Sequence, residues 1–397
     1  MADVHVVTFA IAAGVLCCAG AEAECPLFGG YGGGFRVIAP PPVGAGSFGV
    51  AGAALPDGRL LAVTGDRVFV ESEPGAGAWC EGGVLPSPAE PTFVGVSPSG
   101  SRIAVGMNPG VVVFDVSDLG VCGGAAPVLS DVGTVFSVEH YDGCWIDEHR
   151  LALSAPGGEV IEVVLGTDGA LTTRVIVTNI GGASGGVGVD ASGNLYTGNG
   201  FDLVAGGSET GWVKVFAPVL WETSPVNFES QGVLVCDVLS AVGLRLDAEG
   251  NLLVGGGDFV AGDSGYVGVV SAQAIAAALG GGGPANTFDP TQVRKLMPTA
   301  DPFAFYGAFA NAARREIIAT TVDFSTSVAT WHAAVAARLV GDANGDNVVN
   351  FADLNIVLSA FGTLTKGGVA GGDVNGNGRV DFVDLNIVLS DFGRACL

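Results

Sequence analysis

The sequence predicts a large all-β domain followed by a small helical one, and three observations carry that reading. The composition, with 65 Gly, 49% hydrophobic and only 14% charged residues among 397, favours turn-rich β structure over helix bundles. A strand-turn-strand motif returns six times between residues 30 and 340. Beyond residue 340 an Asp/Asn/Gly-rich loop and the apolar stretch after it are written twice.

The chain opens on an apolar run from about Val6 to Ala19, followed by Ala21-Glu22-Ala23, a small-x-small cleavage pattern. Residues 1–23 are therefore expected to be a secretory signal peptide, although the stretch before the run has only His5 in place of Lys or Arg. The run is short for a bilayer span, so no membrane span is expected and the protein is read as secreted or cell-surface. Loss of residues 1–23 takes Asp3 and Glu22 from the 40 acids and nothing from the 16 bases, so the net charge moves from −24 to −22. Such a chain repels nucleic acid and anionic lipid, and leaves calcium or a cationic or neutral glycan as partners. Six cysteines follow the signal: Cys25, Cys80, Cys122, Cys144, Cys236 and Cys396. An even count in an exported chain allows disulfides, with buried free thiols as the alternative, and the spacing selects no pairing. No C-x-x-C pair points to zinc.

Residues 24–340 form the main domain. The motif reads Phe48 to Val63, Phe93 to Val105, Trp145 to Leu153, Gly186 to Tyr196, Val242 to Val254 and Tyr306 to Ala319, each a strand, a turn with Asp, Ser or Gly, and a second apolar strand. Turn-to-turn spacings of about 42 to 64 residues fit four-stranded blades with loop insertions. The expected fold is a β-propeller of six blades, with seven as the alternative count and a β-sandwich or β-solenoid as the alternative architecture. The fourth and fifth copies agree furthest, from Gly193-Asn194-Leu195 and Gly250-Asn251-Leu252 to Gly211-Trp212-Val213 and Gly265-Tyr266-Val267. Their D-x-x-G-N-L turns at Asp190 and Asp247 resemble those of NHL-type and lactonase-like propellers. Ring closure is expected to pair Phe35 to Ile38 with residues 327–331 or 334–339. Ser271 to Leu279 reads as one inserted helix with a glycine-rich exit.

Catalytic signals are sparse. Only His140, His149 and His332 follow the signal, and no G-x-S-x-G elbow is present. His140 with Glu139, Tyr141 and Asp142 is the most catalytic-looking cluster, but its local pattern is that of an ordinary loop. Asp202, Glu209, Asp258 and Asp263 fall in matching loops of the duplicated blades and read as solvated acids, with cation binding as the alternative. No catalytic residue is assigned.

The tail carries the strongest chemistry. Residues 342–353 and 373–384 place oxygen-bearing side chains at loop positions 1, 3, 5, 9 and 12, an EF-hand-like spacing that wraps a hard cation. Phe351 to Gly362 and Phe382 to Gly393 differ at two positions, so each copy is a loop-helix unit. The stripes Leu354, Val357, Leu358, Phe361 and Leu385, Val388, Leu389, Phe392 have helical spacing and are expected to pack on each other.

This pattern resembles the type I dockerin family, over residues 341–397. The resemblance implies two Ca2+ ions. Asp342, Asn344, Asp346, Asn350 and Asp353 with the carbonyl of Val348 would hold one; Asp373, Asn375, Asn377, Asp381 and Asp384 with the carbonyl of Arg379 would hold the other. It also implies a cohesin-like protein partner and a place in polysaccharide catabolism. Two departures stand out. Asn347 occupies the turn-glycine position of the first loop, and apolar Phe351-Ala352 and Phe382-Val383 replace the small hydroxyl residues usual at positions 10 and 11. Residues 351, 352, 358, 382, 383 and 389 are therefore expected either to bury against the chain's own propeller or to form an apolar docking patch. The function expected is an exported calcium-binding protein whose propeller presents a binding surface and whose tail docks or caps; the alternative is a carbohydrate- or lactone-acting propeller enzyme.

Overall fold

The computed structural model describes residues 36–42, 51–86, 91–107, 109–129, 133–134, 139–166, 170–181, 184–199, 211–238, 241–247, 250–256, 266–286, 293–296, 305–314, 316–323, 328–335, 341–344, 348–364, 371–374 and 378–394. The expected signal peptide, Cys25 and Cys396 lie outside them.

Six sheets, antiparallel apart from two short added segments, form the body among the described residues. Their innermost strands, Ala51–Ala54, Pro91–Val96, Asp142–Asp147, Ser184–Val189, Gly243–Leu246 and Phe305–Asn311, touch in cyclic order, the last against the first. This is a six-bladed β-propeller, and the count of six holds. Each of the six repeated motifs is the inner hairpin of one blade, blades 1 to 6 in chain order. The second strands are the most buried: every residue of Leu60–Thr64, Leu195–Asn199 and Leu252–Gly256 is inaccessible. Both faces of such a strand meet a neighbouring blade, so its residues are apolar or small throughout, without alternation. Six apolar clusters result, one at each blade junction; the junction of blades 1 and 2, for example, packs Leu61, Val63, Ile103, Val105 and Phe114.

Closure uses the expected strand in a register between the two expected segments. Arg36, Val37 and Ile38 pair with Ala333, His332 and Trp331, on the outer edge of blade 6. Phe35 lies outside the described residues. Trp331 is fully buried between blades 6 and 1; Trp79 of blade 1 meets it edge-on at 5.6 Å and donates its indole N–H to Ala39 O at 2.9 Å. A guanidinium adds a second tie, since Arg314 of the blade 6 turn reaches the buried Glu71 of blade 1 at 2.9 Å.

The outer edges of blades 1, 3 and 4 are covered by a device not legible in the sequence. The connection before the fourth strand of one blade lays a short segment parallel to the outer strand of the preceding blade. Val226–Asn227 pairs with Val177 and Thr178 of blade 3, Ala285–Asn286 with Cys236 and Asp237 of blade 4, and Val128 bridges Val84 of blade 1. An exposed edge would otherwise template intermolecular pairing. The Cys80–Cys122 disulfide ties that same blade 1 edge to blade 2, whereas Cys144 is a buried free thiol and Cys236 is buried in the blade 4 core. The inserted helix is Ala272–Leu279, N-capped by Ser271, whose Oγ accepts the Ala274 N–H at 3.0 Å. A second, shorter helix, Pro218–Trp221, follows blade 4's third strand. Among the described residues no helix is long and apolar enough to cross a membrane.

The tail forms two helices, Phe351–Ala360 and Phe382–Asp391, related by a pseudo-twofold. Val349 of the first loop exchanges backbone hydrogen bonds with Gly393 and Arg394 past the second helix; Val380 of the second loop does the same with Gly362 and Thr363 past the first. The core holds Ala343, Val349 and Val357 with their counterparts Val374, Val380 and Val388. The stripes predicted from sequence are corrected here. Leu358, Phe361, Leu389 and Phe392 are exposed, because the loop valines fill the seam and leave Val357 and Val388 as the fully buried apolar helix positions.

Candidate functional site

The first candidate is the propeller axis. The inner-hairpin turns of the blades converge on one face, and their backbones follow from sequence. Asp190 Oδ1 accepts the N–H groups of Ser192 and Asn194 at 2.8 and 2.9 Å, and its Oδ2 accepts Asn194 Nδ2 at 2.7 Å and the Tyr196 hydroxyl at 3.1 Å. Asp247 and Asn251 repeat the arrangement in blade 5, at 2.8 Å for both bonds. The turns close through Gly193 and Gly250, whose φ values of 80° and 83° lie in the left-handed region. The D-x-x-G-N-L pattern thus encodes a turn bonded to its own carboxylate.

These turns surround a cavity of about 990 Å³ lined by Asp147, Glu148, Asp190, Glu222, Asp247, Arg150 and the side walls of Trp145 and Trp221. Beneath lies a narrower throat of about 330 Å³, walled by Val94, Val96, Val189, Leu246 and Phe309. Gly95 and Gly188 also line it, and a side chain on either would crowd the next blade, at Trp145 and Leu246 respectively. Below that the axis shrinks to about 20 Å³ around Phe93, Asp142 and Arg245. Among the described residues the channel narrows from the turn face towards this end.

An ion pair sits at its narrow end. Arg245 Nη1 and Nη2 donate to Asp142 Oδ2 and Oδ1 at 2.9 and 2.8 Å, and Val187 N donates to Asp142 Oδ2 at 3.1 Å. Burial works against the Arg245 charge, but Asp142 outweighs it and raises the guanidinium above its ordinary value. Cys144 lines the throat; burial pushes its thiol up to about 12, with Arg245 opposing and Asp142 adding. The cluster around His140 is not assembled as a site. His140 is fully buried edge-on to Phe93 at 5.6 Å, Tyr141 is exposed, and Asp142 is committed to Arg245. Sequence reasoning missed Arg245 and Glu148, since nothing local in either segment distinguishes them from other polar strand and turn residues. Asp202, Glu209, Asp258 and Asp263 lie outside the described residues.

The second candidate is the pair of tail loops. Asp342, Asp353, Asp373 and Asp384, at positions 1 and 12 of the two loops, are all buried. Asp353 accepts the N–H groups of Asn344 at 3.0 Å and Asn350 at 2.9 Å; Asp384 accepts Asp381 N at 2.9 Å, and Asp373 accepts Gly378 N at 2.7 Å. The position 9 side chains also cap helices: Asn350 Oδ1 accepts Ala352 N at 2.7 Å and Asp381 Oδ1 accepts Val383 N at 2.8 Å. Val348 is half-buried and Arg379 exposed; Asp346, Asn375 and Asn377 lie outside the described residues. Among the described residues, no three His, Cys, Asp or Glu side chains cluster as a metal group.

No protein-family model matches the chain, and no curated protein matches it. Among solved structures it is similar to the β-propeller domain of Cps50 (Swd1) from Myceliophteria thermophila, at 13% identity and a TM-score of 0.44, covering 76% of this chain and 100% of that one. A chain of the mitotic checkpoint complex aligns at 12% identity and a TM-score of 0.48, covering 84% and 100%. A chain of a nidogen/laminin complex aligns at 12% identity and a TM-score of 0.39, covering 58% and 76%. Likeness this distant carries nothing about function, and the six-bladed assignment rests on the chain's own strand order.

Proposed function

We propose that this is an exported calcium-binding protein in which the propeller presents a binding surface and the dockerin-like tail, held by two Ca2+ ions, docks it to a cohesin-like protein partner. The observation that carries the calcium reading is the burial of two carboxylates in each short loop of a chain whose net charge is −24. Buried like charges are costly unless a cation compensates them, and the duplicated donor set of carboxylates, amides and carbonyls suits a hard ion. In the first loop Asp342, Asn344, Asp346, Asn350, Asp353 and the Val348 carbonyl would supply the oxygens; in the second Asp373, Asn375, Asn377, Asp381, Asp384 and the Arg379 carbonyl would. The ion would supply folding free energy to a module with a core of only a few valines.

Docking is favoured over capping by the exposure of the tail's aromatic residues. Phe351 and Phe382 are each 69% exposed with the whole chain present, so they are not buried against the propeller, as one of the two sequence expectations had it. The Cys80–Cys122 disulfide supports export, because such bonds persist in oxidising compartments.

Calorimetric titration of calcium into the chelator-treated full chain tests the reading. Two ions should bind, and Asp342→Ala and Asp373→Ala should each remove one. Absence of calcium uptake by the folded chain, or uptake unaffected by both substitutions, would sink it.

A further inference from the structure

We propose that the second tail loop fills with calcium first and that its filling prepares the first loop across the helix pair, with Val349 and Val380 as the positioning residues that couple the two sites. The inference deepens, and rests on, the calcium reading of the tail.

The coupling comes from crossed contacts, because each loop is held at two points by the helix of the other repeat. Val349, at position 8 of the first loop, donates its N–H to Arg394 O at 2.8 Å and accepts the Gly393 N–H at 2.8 Å, just past the second helix. Its counterpart Val380 donates to Thr363 O at 3.1 Å and accepts the Gly362 N–H at 2.9 Å, just past the first. The second point is the residue before position 1. A Cβ on Gly341 would stand 3.0 Å from Val388 Cα of the second helix, and one on Gly372 would stand 3.2 Å from Val357 Cα of the first.

These points bracket the oxygen donors. Val349 lies between Val348, which offers its carbonyl, and Asn350; Val380 lies between Arg379 and Asp381 in the same way. Each helix in turn starts on the last donors of its own loop: Asn350 and Asp381 are the N-caps, and Asp353 and Asp384 stand in the first turns. A loop closed on its ion fixes its valine, the valine fixes the far end of the other helix, and that helix presents the other loop's donors at its near end. Val349, Val357, Val380 and Val388 also share one core. The cost of ordering this seam falls mainly on the first ion, so the second binds tighter.

Charge does not rank the loops, since Asp342, Asp346 and Asp353 of the first are matched by Asp373, Asp381 and Asp384 of the second. The backbone at position 6 does. Gly378 of the second loop has a φ of 87° and donates its N–H to Asp373 Oδ2 at 2.7 Å, closing the turn over position 1. Its mate in the first loop is Asn347. A side chain at a left-handed position is disfavoured, by roughly fivefold in affinity for this exchange.

The test is stepwise calorimetric titration of calcium into the chelator-treated full chain, with the Asp342→Ala, Asp373→Ala double variant as the baseline for ions held elsewhere. The first loop, measured alone in Asp373→Ala, should bind about tenfold more weakly than it does in the second step of the intact chain. It should also bind more weakly than the second loop measured alone in Asp342→Ala. Asn347→Gly should tighten the first loop about fivefold. A chain ending at Phe392 lacks Gly393 and Arg394, and with them one of the two clamps, so the tenfold gain should fall to about threefold. Stepwise constants equal to those of the single-loop variants overturn the coupling and leave the calcium reading intact. A first loop that binds more tightly alone than the second does alone overturns the order of filling. An unchanged gain in the chain ending at Phe392 overturns the role of Val349. Uptake no greater than that of the double variant overturns the calcium reading, and the inference with it.

Discussion

Arg245 and Asp142, 103 residues apart, meet in a two-pronged ion pair that spans blades 3 and 5 and takes a backbone amide from Val187 of blade 4 between them. Asp142 is almost wholly buried, and the side chain of Arg245 is 22% exposed. Breaking such a pair leaves an uncompensated buried charge, whereas replacing both members removes the desolvation penalty as well. Arg245→Met should therefore destabilise the chain by about 3–5 kcal/mol, while Asp142→Leu with Arg245→Met together should recover most of that loss. Urea unfolding of the three variants checks this; equal losses for the single and double replacements would show that the pair is not acting as a unit.

The Cys80–Cys122 bond closes a loop of sequence separation 42 across the edge of blade 1. Cys80→Ser with Cys122→Ser should cost about 2–4 kcal/mol. In the native chain Cys144 should resist alkylation at pH 8, since burial lifts its thiol to about 12 and leaves almost no thiolate. Peptide mapping after brief iodoacetamide treatment measures both the bond and the protection. Rapid native labelling of Cys144 would contradict its burial.

What was legible in the sequence was local. The inner hairpins of all six blades were readable because each combines a nearly all-apolar second strand with turn residues that dictate their own backbone, as Asp190-Ala191-Ser192-Gly193-Asn194 does. The outer strands were not, since their pairing depends on connections such as Val226–Asn227 that join a neighbouring blade in parallel. The Asp142–Arg245 pair and the disulfide are long-range contacts with no periodic signal. In the tail the pattern was right but the buried face was misjudged. Helical spacing alone cannot show that Val349 and Val380 enter the seam from the loops and displace Leu358 and Leu389 to the surface. An apolar residue at position 8 of both loops was the signal available.

The tail's symmetry makes a paired prediction. Phe351 meets Phe392 edge-on at 4.9 Å, and Phe382 meets Phe361 in the same way at 4.9 Å, so the module presents two like aromatic patches. Phe351→Asp with Phe382→Asp should leave the melting transition of the chain within about 0.5–1 kcal/mol of its starting stability, because both rings are largely exposed, yet abolish capture of a docking partner. Val357→Ala and Val388→Ala should do the opposite, each removing about 1–3 kcal/mol from the module by opening its core. Equivalent losses from the surface and core substitutions would contradict the observed division between seam and patch.

Acid should loosen the junction between the turns of blades 2 and 3. Glu148 accepts the Ser99 N–H and, at 2.8 Å, the Ser99 hydroxyl. Partial burial works against its charge, but these bonds, with one from Ser97 and the nearby charge of Arg102, outweigh it and hold the carboxyl below the ordinary range. A carboxyl depressed in the folded state contributes stability that is fully present above its unfolded value, about 4.3, and is lost as pH falls through the lower folded value. Neighbouring Asp147 is depressed in the same sense, its burial being outweighed by the His149 amide and by Arg150, and it loses its contribution in the same acidic window. Urea midpoints measured at pH 7, 5 and 3 should fall more steeply for the wild-type chain than for Glu148→Gln, whose amide still accepts from Ser99 but does not titrate. Parallel curves for the two chains would mean that the Glu148–Ser99 link contributes nothing to the acid sensitivity of the propeller.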